Sequence, residues 1–286
     1  MKILVTGATG FIGNHIIELL IKEGNIVVAS SSDRNKASKF KWFDKVIYKE
    51  YKIGKTIQPT DLYNYFESPE KIIHLAWDGL PNFKSLSHFE ENLWAQYFFL
   101  KVLINSGVKD VTVTGTCLEY GLKEGQLHEY DCVSPITAYG IAKNTLRLFL
   151  EQLAKTIPFS LKWIRLFYLY GPGQHVKSIL PQLQAALDRG DKEFKMSGGE
   201  QIRDYLPVEK VAENIIRIAL QNKVTGIINC CSNNPITINQ LVEDYLKKTK
   251  RSIKFIRGAY PYPDYEPMRF WGDNEKLNKI ITRIEQ

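Results

Sequence analysis

The chain has 286 residues, of which 44% are hydrophobic and 24% are charged, a balance that is ordinary for a globular protein with a sizeable core. Its apolar runs are shorter than the roughly 20 residues of a membrane span, and the first run ends in a glycine turn instead of continuing as a secretion signal. We therefore expect a cytoplasmic protein without a membrane partner. The formal net charge of +7 comes from basic residues scattered among acidic ones, so we expect no nucleic-acid partner. The four cysteines show no C-x-x-C spacing and no histidine pairs nearby, which indicates neither a metal site nor a disulfide framework.

The first predicted element is a buried strand that leads directly into a glycine-rich turn. Residues 2–6 are mostly apolar, Gly7, Gly10 and Gly13 follow with G-x-x-G-x-x-G spacing, and apolar residues then return at helical spacing. We assign Gly7 to the tight turn, Gly10 to the close approach of a phosphate, and Gly13 to packing of the helix against the strand. Open backbone N–H groups and the positive end of a helix dipole would meet here, which predicts a site for the pyrophosphate of a dinucleotide.

Strands and helices alternate along the rest of the first part of the chain. After the first helix, which Gly24 closes, we predict strand 26–29, strand 46–48, helix 61–66, strand 71–76, helix 90–105, strand 110–114, helix 138–156 and strand 160–167. This alternation predicts an α/β fold, a doubly wound parallel Rossmann sheet with ligands at the carboxyl ends of its strands. Residues 1–167 would form this dinucleotide-binding domain and carry the catalytic residues.

The alternation changes after Phe167, where residues 171–173 read Gly-Pro-Gly. Helices are predicted at 179–188, 208–222 and 238–249, with short strands at 226–230 and 253–256. We interpret residues 168–286 as a smaller C-terminal substrate-binding lobe within one compact unit.

A tyrosine and a lysine begin the predicted helix 138–156. Tyr139 and Lys143 are spaced i and i+4, which puts both side chains on one face of the helix. A nearby ammonium would lower the pKa of the phenol and make it a usable general acid or base. The preceding strand ends in Thr114-Gly115-Thr116, which places a hydroxyl where ligands bind in such sheets.

Taken together, these residues resemble the extended short-chain dehydrogenase/reductase family, in its NAD(P)-dependent sugar-nucleotide epimerase, dehydratase and reductase branch. The resemblance covers nearly the whole chain. The matching segments are residues 6–13, residues 74–76, Asn92, residues 114–116 with Tyr120-Gly121, Ser134-Pro135 ahead of Tyr139 and Lys143, residues 170–173, and Arg203-Asp204-Tyr205.

The resemblance implies a role for each matching residue. Tyr139 would donate or accept the proton, Lys143 would hold the nicotinamide ribose and tune Tyr139, and Thr116 would hydrogen-bond the reacting sugar oxygen. Arg203 would contact the diphosphate of the substrate, with a surface ion pair as the alternative. Trp77, which follows the fourth strand, is either a wall of the sugar pocket or a packing residue. The residues expected to contact the cofactor are Gly7, Thr9, Gly10, Phe11, Ile12, Gly13, Ser31, Arg34, Leu75, Ala76, Asn92 and Lys143.

Two departures from the family pattern narrow the expected reaction. Sugar 4,6-dehydratases of this family carry an Asp-Glu pair after the catalytic Thr, whereas Cys117 and Leu118 stand here and cannot supply that acid and base. The second strand ends in serines with Arg34 close behind, which favours the 2′-phosphate of NADP over NAD. Asp33 keeps NAD open, because a small shift of the strand boundary would place it at the ribose.

An NADP preference favours net reduction, so we expect an NADPH-dependent reductase. The resemblance to nucleotide-sugar reductases implies its substrate, a nucleotide-linked 4-keto-6-deoxy sugar of the dTDP type. Hydride would go to the C4 ketone carbon and a proton from Tyr139 to its oxygen. The alternatives are an NAD-dependent nucleotide-sugar 4-epimerase, a reductase that also epimerises by means of Cys117 and His175, and a non-catalytic NAD(P)-binding protein. Exposed apolar and aromatic residues on helices 90–105 and 138–156, the pair that this family uses in homodimers, predict a homodimer.

Overall fold

The computed structural model describes residues 1–54 and 61–282. In chain order the strands are β1 Lys2–Thr6, β2 Ile26–Ser31, β3 Ile47–Glu50, β4 Lys71–His74, β5 Asp110–Thr116, β6 Gly125–Leu127, β7 Ser160–Leu166, β8 Tyr168–Tyr170, β9 Glu193–Lys195, β10 Ile202–Pro207, β11 Gly226–Cys230, β12 Pro235–Thr237, β13 Lys254–Ile256 and β14 Phe270–Gly272. The α-helices are α1 Phe11–Lys22, α2 Arg34–Ala37, α3 Leu62–Tyr65, α4 Leu93–Asn105, α5 Ala138–Thr156, α6 Ile179–Arg189, α7 Val208–Leu220, α8 Ile238–Thr249 and α9 Glu275–Thr282.

A large parallel sheet organises the described residues. Its seven strands lie in the order β11-β7-β5-β4-β1-β2-β3, and each neighbouring pair is parallel. β2 and β3 follow β1 on one side, and β5, β7 and β11 follow β4 on the other. The strand order therefore reverses between β1 and β4, and ligands bind at the carboxyl ends of strands at such a point. The predicted doubly wound α/β fold is therefore confirmed.

Apolar side chains cover the sheet on both faces. On one face, Ile16, Ile17 and Leu20 of α1 pack with residues of α7 and α9. On the other face, α4 and α5 form a second core with Phe99 and Leu146 among its fully buried residues. Most of the strand residues in these layers are buried, which explains why their sequences are apolar and do not alternate with polar residues.

The C-terminal part of the chain contributes to both lobes. β11 was predicted to lie in the second lobe, but it pairs in parallel with β7 at the edge of the large sheet, and α7 packs with α1 over that sheet. This assignment was wrong because strand pairing with β7 joins residues about sixty positions apart and leaves no local pattern. The division of the chain at residue 167 itself stays a prediction.

Smaller sheets and two helices build the rest of the second lobe. β8, β10 and β12 form a three-stranded sheet, and β13-β9 and β14-β6 form two-stranded sheets. Helices α6 and α8 pack against each other around Leu183 and Val242. Within the described residues, the structure contains no helix with the length and apolar character needed to cross a membrane.

Candidate active site

The glycine turn connects β1 to α1 and presents the start of the helix. Gly7 has φ +70°, and a Cβ there would lie 2.9 Å from the backbone nitrogen of Ala76, so both the conformation and the close approach of the next strand end require glycine. A Cβ on Gly13 would lie 2.3 Å from the carbonyl oxygen of Gly7. Gly13 therefore lets α1 pack directly on the turn, and the N–H groups of its first turn remain available for an anion.

A cavity of about 490 Å³ opens beside this turn, at the carboxyl ends of β1, β2 and β4. Its lining joins the glycine turn to the end of β2, to the segment after β4 and to the second lobe. The main lining residues are Thr6, Gly7, Thr9, Gly10, Phe11, Ser30, Ser31, Ser32, Lys36, Leu75, Ala76, Trp77, Asp78, Gln96, Gly173 and His175. The size, the shape and the helix start suit a dinucleotide, and most residues predicted to contact the cofactor line this cavity.

Five predicted cofactor residues are not among those that line this cavity, namely Ile12, Gly13, Arg34, Asn92 and Lys143, and the side chains of Arg34 and Asn92 contact other groups. The guanidinium of Arg34 lies 5.4 Å from the ring centroid of Phe43 and 5.6 Å from that of Tyr48, and Arg34 is not among the residues that line the cavity. Asn92 donates a hydrogen bond of 2.9 Å to the carbonyl oxygen of Asp78 and lines a neighbouring cavity of about 590 Å³. Their predicted contacts with the cofactor stay predictions.

The segment after β2 places some of its polar side chains toward the cavity and others away from it. β2 ends at Ser31, and the carboxylate of Asp33 accepts a 2.9 Å hydrogen bond from the backbone N–H of Lys36, which caps α2. From β2 and α2, serines and Lys36 line the cavity, and Tyr51, Lys52 and Ile53 line it from the segment after β3. The position of Lys36 at the cavity was not predicted from the sequence. Lys36 lies on the short helix α2, and the run of serines before it does not show which side of that helix faces the cavity.

Thr116, Tyr139 and Lys143 lie together at the carboxyl end of β5. Thr116 ends the strand and its hydroxyl accepts a 3.3 Å hydrogen bond from Leu118 N–H; its interaction with the Tyr139 phenol works against the rise in the pKa of that phenol. Thr137 caps α5 by accepting a 3.0 Å hydrogen bond from Gly140 N–H, which fixes Tyr139 in the first helical turn. One turn later, Nζ of Lys143 donates a 2.8 Å hydrogen bond to the carbonyl oxygen of Thr114.

Burial dominates the electrostatics of this group. It raises the pKa of Tyr139 well above its ordinary value, and the charge of Glu119 raises it further. It lowers the pKa of Lys143 to about 7, against an opposing effect of Glu119. The expectation that Lys143 lowers the pKa of Tyr139 was wrong for this structure, because the ammonium lies 5.9 Å from the centre of the phenol ring and desolvation outweighs its field.

Glu119 is hydrogen-bonded to the end of β5 and stabilises the turn that follows Thr116. Its role was not predicted from the sequence. Its side chain is fully buried, and its carboxylate accepts hydrogen bonds from Thr116 N–H at 2.9 Å, from Nε1 of Trp163 at 2.9 Å and from Nε of Arg165 at 2.8 Å. A Cβ on Gly115 would lie 2.3 Å from a Glu119 oxygen, so glycine is needed for the carboxylate to reach the strand end. With three donors on its two oxygens and Arg165 as its buried counterion, Glu119 is a structural anion and not a free acid or base.

Arg203 lies in a buried ion pair in the second lobe. Its Nη2 is 3.0 Å from a Glu266 carboxylate oxygen, its Nη1 donates to the carbonyl oxygens of Ile202 and Met268, and Phe270 lies under the guanidinium at 4.6 Å. Tyr168 donates a short hydrogen bond to the same carboxylate. The surface ion pair considered as an alternative is thus a buried one, and the contact of Arg203 with a diphosphate stays a prediction.

Cys117 and His175 lie in different surroundings. Cys117 is buried with Tyr120 and Phe167, and burial together with the charge of Glu266 raises the pKa of its thiol. His175 is exposed at the mouth of the cofactor cavity and its Nδ1 accepts a 3.1 Å hydrogen bond from Lys177 N–H. The structure therefore gives no support to an acid/base pair between them.

Trp77 lies beside Lys143 and Tyr139. Its indole lies against Lys143, with Nζ 4.1 Å from the ring centroid, and its edge meets the Tyr139 ring at 5.9 Å. His74, at the end of β4, shares a 2.9 Å hydrogen bond with the Thr6 hydroxyl at the end of the neighbouring strand β1.

Comparisons with known proteins agree with this arrangement. The sequence profile of the NAD dependent epimerase/dehydratase family matches residues 3–231. The chain is 29% identical over 273 residues to the dTDP-6-deoxy-L-talose 4-dehydrogenase (NAD(+)) of Aggregatibacter actinomycetemcomitans, covering 95% of this chain and 99% of that protein. It is 23% identical to the UDP-glucose 4-epimerase of Lactobacillus helveticus, covering 98% of this chain and 91% of that one. Among solved structures, the UDP-N-acetylglucosamine 4-epimerase of Methanobrevibacter ruminantium superposes with a TM-score of 0.85 at 23% identity, over 98% of this chain and 91% of that one.

Proposed function

Because this chain belongs to the NAD dependent epimerase/dehydratase family, we propose that it is an NADPH-dependent reductase of a nucleotide-linked 4-keto-6-deoxy sugar, with a dTDP-linked hexose as substrate. Hydride passes from the nicotinamide to C4, and Tyr139 gives its proton to the C4 oxygen. Hydride transfer is reversible, so the 4-dehydrogenase named for the 29% identical relative catalyses the same kind of step in the opposite direction.

The observation that carries this proposal is the Thr116, Tyr139 and Lys143 group beside the cofactor cavity. The phenol is buried and protonated near neutral pH, since burial raises its pKa, which suits a proton donor to a developing alkoxide. Thr116 interacts with the phenol, and we propose that both hydroxyl groups meet the same reacting oxygen. The cofactor supplies hydride when bound, and this chain supplies the proton and the orientation.

The surroundings of Thr116 support reduction over dehydration. Elimination of water needs a free acid and base next to the catalytic hydroxyl. Here the neighbouring thiol is buried with a raised pKa, Leu118 is apolar, and the Glu119 carboxylate is already bound by three donors. None of these three residues is able to exchange a proton with the substrate.

The choice of NADPH is supported by the polar groups at the end of β2. A carboxylate that selects NAD would have to face the ribose, whereas Asp33 caps α2. Serines and two basic residues, Lys36 and Lys52, line the cavity instead, and a basic group suits a 2′-phosphate. Lys36 thus replaces Arg34 as the residue proposed to meet that phosphate. Since the named cofactor of the 29% identical relative is NAD(+), equal binding of NADH would overturn this part of the proposal alone.

A nucleotide-sugar 4-epimerase that retains its NAD is the second candidate, and the names of several relatives favour it. The two functions differ in cofactor balance. A reductase consumes one reduced nicotinamide for each sugar, whereas an epimerase returns the hydride and consumes none. The deciding experiment incubates the purified protein with NADPH or NADH and dTDP-linked 4-keto-6-deoxy sugars, and follows both the nicotinamide and the sugar.

We also propose that the protein is a homodimer through α4 and α5. Four apolar residues on these helices are exposed by 40–50%, namely Trp94, Phe98, Ile141 and Leu148, and Phe149 packs between Trp94 and Tyr97. Exposed aromatic and aliphatic side chains on two neighbouring helices suit a protein–protein interface. Light scattering at micromolar concentration should give twice the chain mass, and a monomer would contradict this part of the proposal.

A further inference from the structure

The ammonium group of Lys143 is enclosed by an aromatic face and a carbonyl group. Lys143 is only 1% exposed, and its Nζ donates to Thr114 O at 2.8 Å while lying 4.1 Å from the centroid of the Trp77 indole. At this distance the negative face of the indole attracts a cation, and the attraction is strongest where water is excluded. The side chain that the resemblance assigns to the cofactor ribose is therefore also held by the protein itself.

His88 fixes the orientation of this indole. Nε1 of Trp77 donates a 3.0 Å hydrogen bond to Nδ1 of His88. Nε2 of His88 lies 2.8 Å from the carbonyl oxygen of Asn82, and because a carbonyl can only accept, we assign the proton to Nε2. Both ring nitrogens are thus used, and the neutral form of His88 is the one that fits. Burial lowers the pKa of His88 and so favours this neutral form.

Charged and titratable groups face Lys143 from several elements. Glu119, on the turn after β5, favours the ammonium, but Arg165 shares its charge. His74 at the end of β4 is neutral, since burial lowers its pKa to about 3, and His88 is neutral as described above. The Tyr139 phenol on the same helix is protonated. Against the strong desolvation of Lys143, the face of Trp77 is a second group in this environment that favours its charge.

We propose that Trp77, oriented by His88, is a positioning residue that favours the protonated form of Lys143 and fixes its ammonium group in place near Tyr139. Only the catalytic consequence of this inference rests on the proposed function. The charge and orientation of Lys143 are properties of the protein alone and can be measured without cofactor or substrate.

The test is an NMR titration of protein labelled with ¹³C at the lysine Cε, in which the Lys143→Met variant identifies the Lys143 resonance. Trp77→Leu removes the aromatic face, so the pKa of Lys143 should fall by about one unit, the equivalent of a desolvated cation–π contact. Trp77→Phe retains a ring face without the N–H group and should lower the pKa by less. His88→Phe retains packing but removes the hydrogen-bond acceptor, and should fall between the wild type and Trp77→Leu.

An unchanged pKa in a folded Trp77→Leu protein, checked by circular dichroism, would overturn the inference. In the wild type the ammonium loses its proton as the pH rises through about 7, so a lower pKa moves this loss to lower pH. If the proposed function also holds, the basic limb of the reductase pH profile moves to lower pH in Trp77→Leu. A shifted NMR titration in a protein that reduces no keto sugar would uphold the inference and contradict the proposed function.

Discussion

Replacing Glu119 with Gln tests whether the stability of the protein depends on the buried carboxylate at the turn after β5. The carboxylate accepts from three donors, Thr116 N–H, Trp163 Nε1–H and Arg165 Nε–H, and both Glu119 and Arg165 are essentially excluded from water. An amide has one acceptor oxygen and an NH₂ group in place of the second oxygen. At least one of the three N–H groups would therefore face the NH₂ group instead of an acceptor. Arg165 would also remain charged without a counterion. Breaking a buried pair on one side costs about 3–5 kcal/mol, a large part of the stability of a typical protein.

The assay is urea unfolding followed by circular dichroism, with Glu151→Gln as the matched control. Glu151 pairs with Arg147 at 2.6 Å one turn away on α5, but its side chain is 36% exposed, so its loss should cost under about 1 kcal/mol. The double variant Glu119→Leu with Arg165→Met removes both charges and should recover much of the lost stability. The reasoning would be refuted if Glu119→Gln were no more destabilising than Glu151→Gln.

Two further substitutions test the sheet and the cofactor turn. Asp110→Asn should destabilise the protein by about 3–5 kcal/mol in the same urea assay, because Asp110 pairs with Lys71 and Lys162 and both ammonium groups would lose their buried counterion; a loss below about 1 kcal/mol would contradict this. Gly13→Ala should weaken NADPH binding about tenfold or more in a calorimetric titration, because the new Cβ must displace the Gly7 carbonyl from 2.3 Å and overpacking costs about 1–3 kcal/mol; unchanged affinity would show that the turn does not hold the cofactor.

Local patterns predicted much of what the structure contains. The glycine turn, the i and i+4 pair on α5 and the hydroxyl at the end of β5 each arise from a few neighbouring residues. For this reason their elements could be predicted within a few positions, and Thr116 lies at the end of β5 as the sequence indicated. The predicted fourth strand, 71–76, ends two residues early at His74, because Leu75 and Ala76 turn toward the cavity.

The groups that tune the site depend on contacts between distant residues. Glu119 meets Arg165 across 46 positions, and Glu266 meets Arg203 across 63, from a segment rich in proline and tyrosine that shows no periodic pattern. The sign of the Tyr139 pKa shift depends on burial, which spacing along a helix does not reveal. β11 joins the large sheet only through its pairing with β7, so the sequence placed it in the wrong lobe.

The central claim is that hydride goes to C4 of a keto sugar and a proton comes from Tyr139. The direct measurement incubates the protein with NADPH carrying deuterium on the reactive face of the nicotinamide and with a dTDP-linked 4-keto-6-deoxy sugar, and analyses the product by mass spectrometry and NMR. We predict one deuterium at C4 of a 4-hydroxy product for each NADPH consumed. In Tyr139→Phe this rate should fall by about 10²-fold or more, with NADPH affinity retained because the glycine turn and Lys143 are unchanged. Epimerised sugar without deuterium and without NADPH consumption, or a Tyr139→Phe protein of near-normal rate, would contradict the claim.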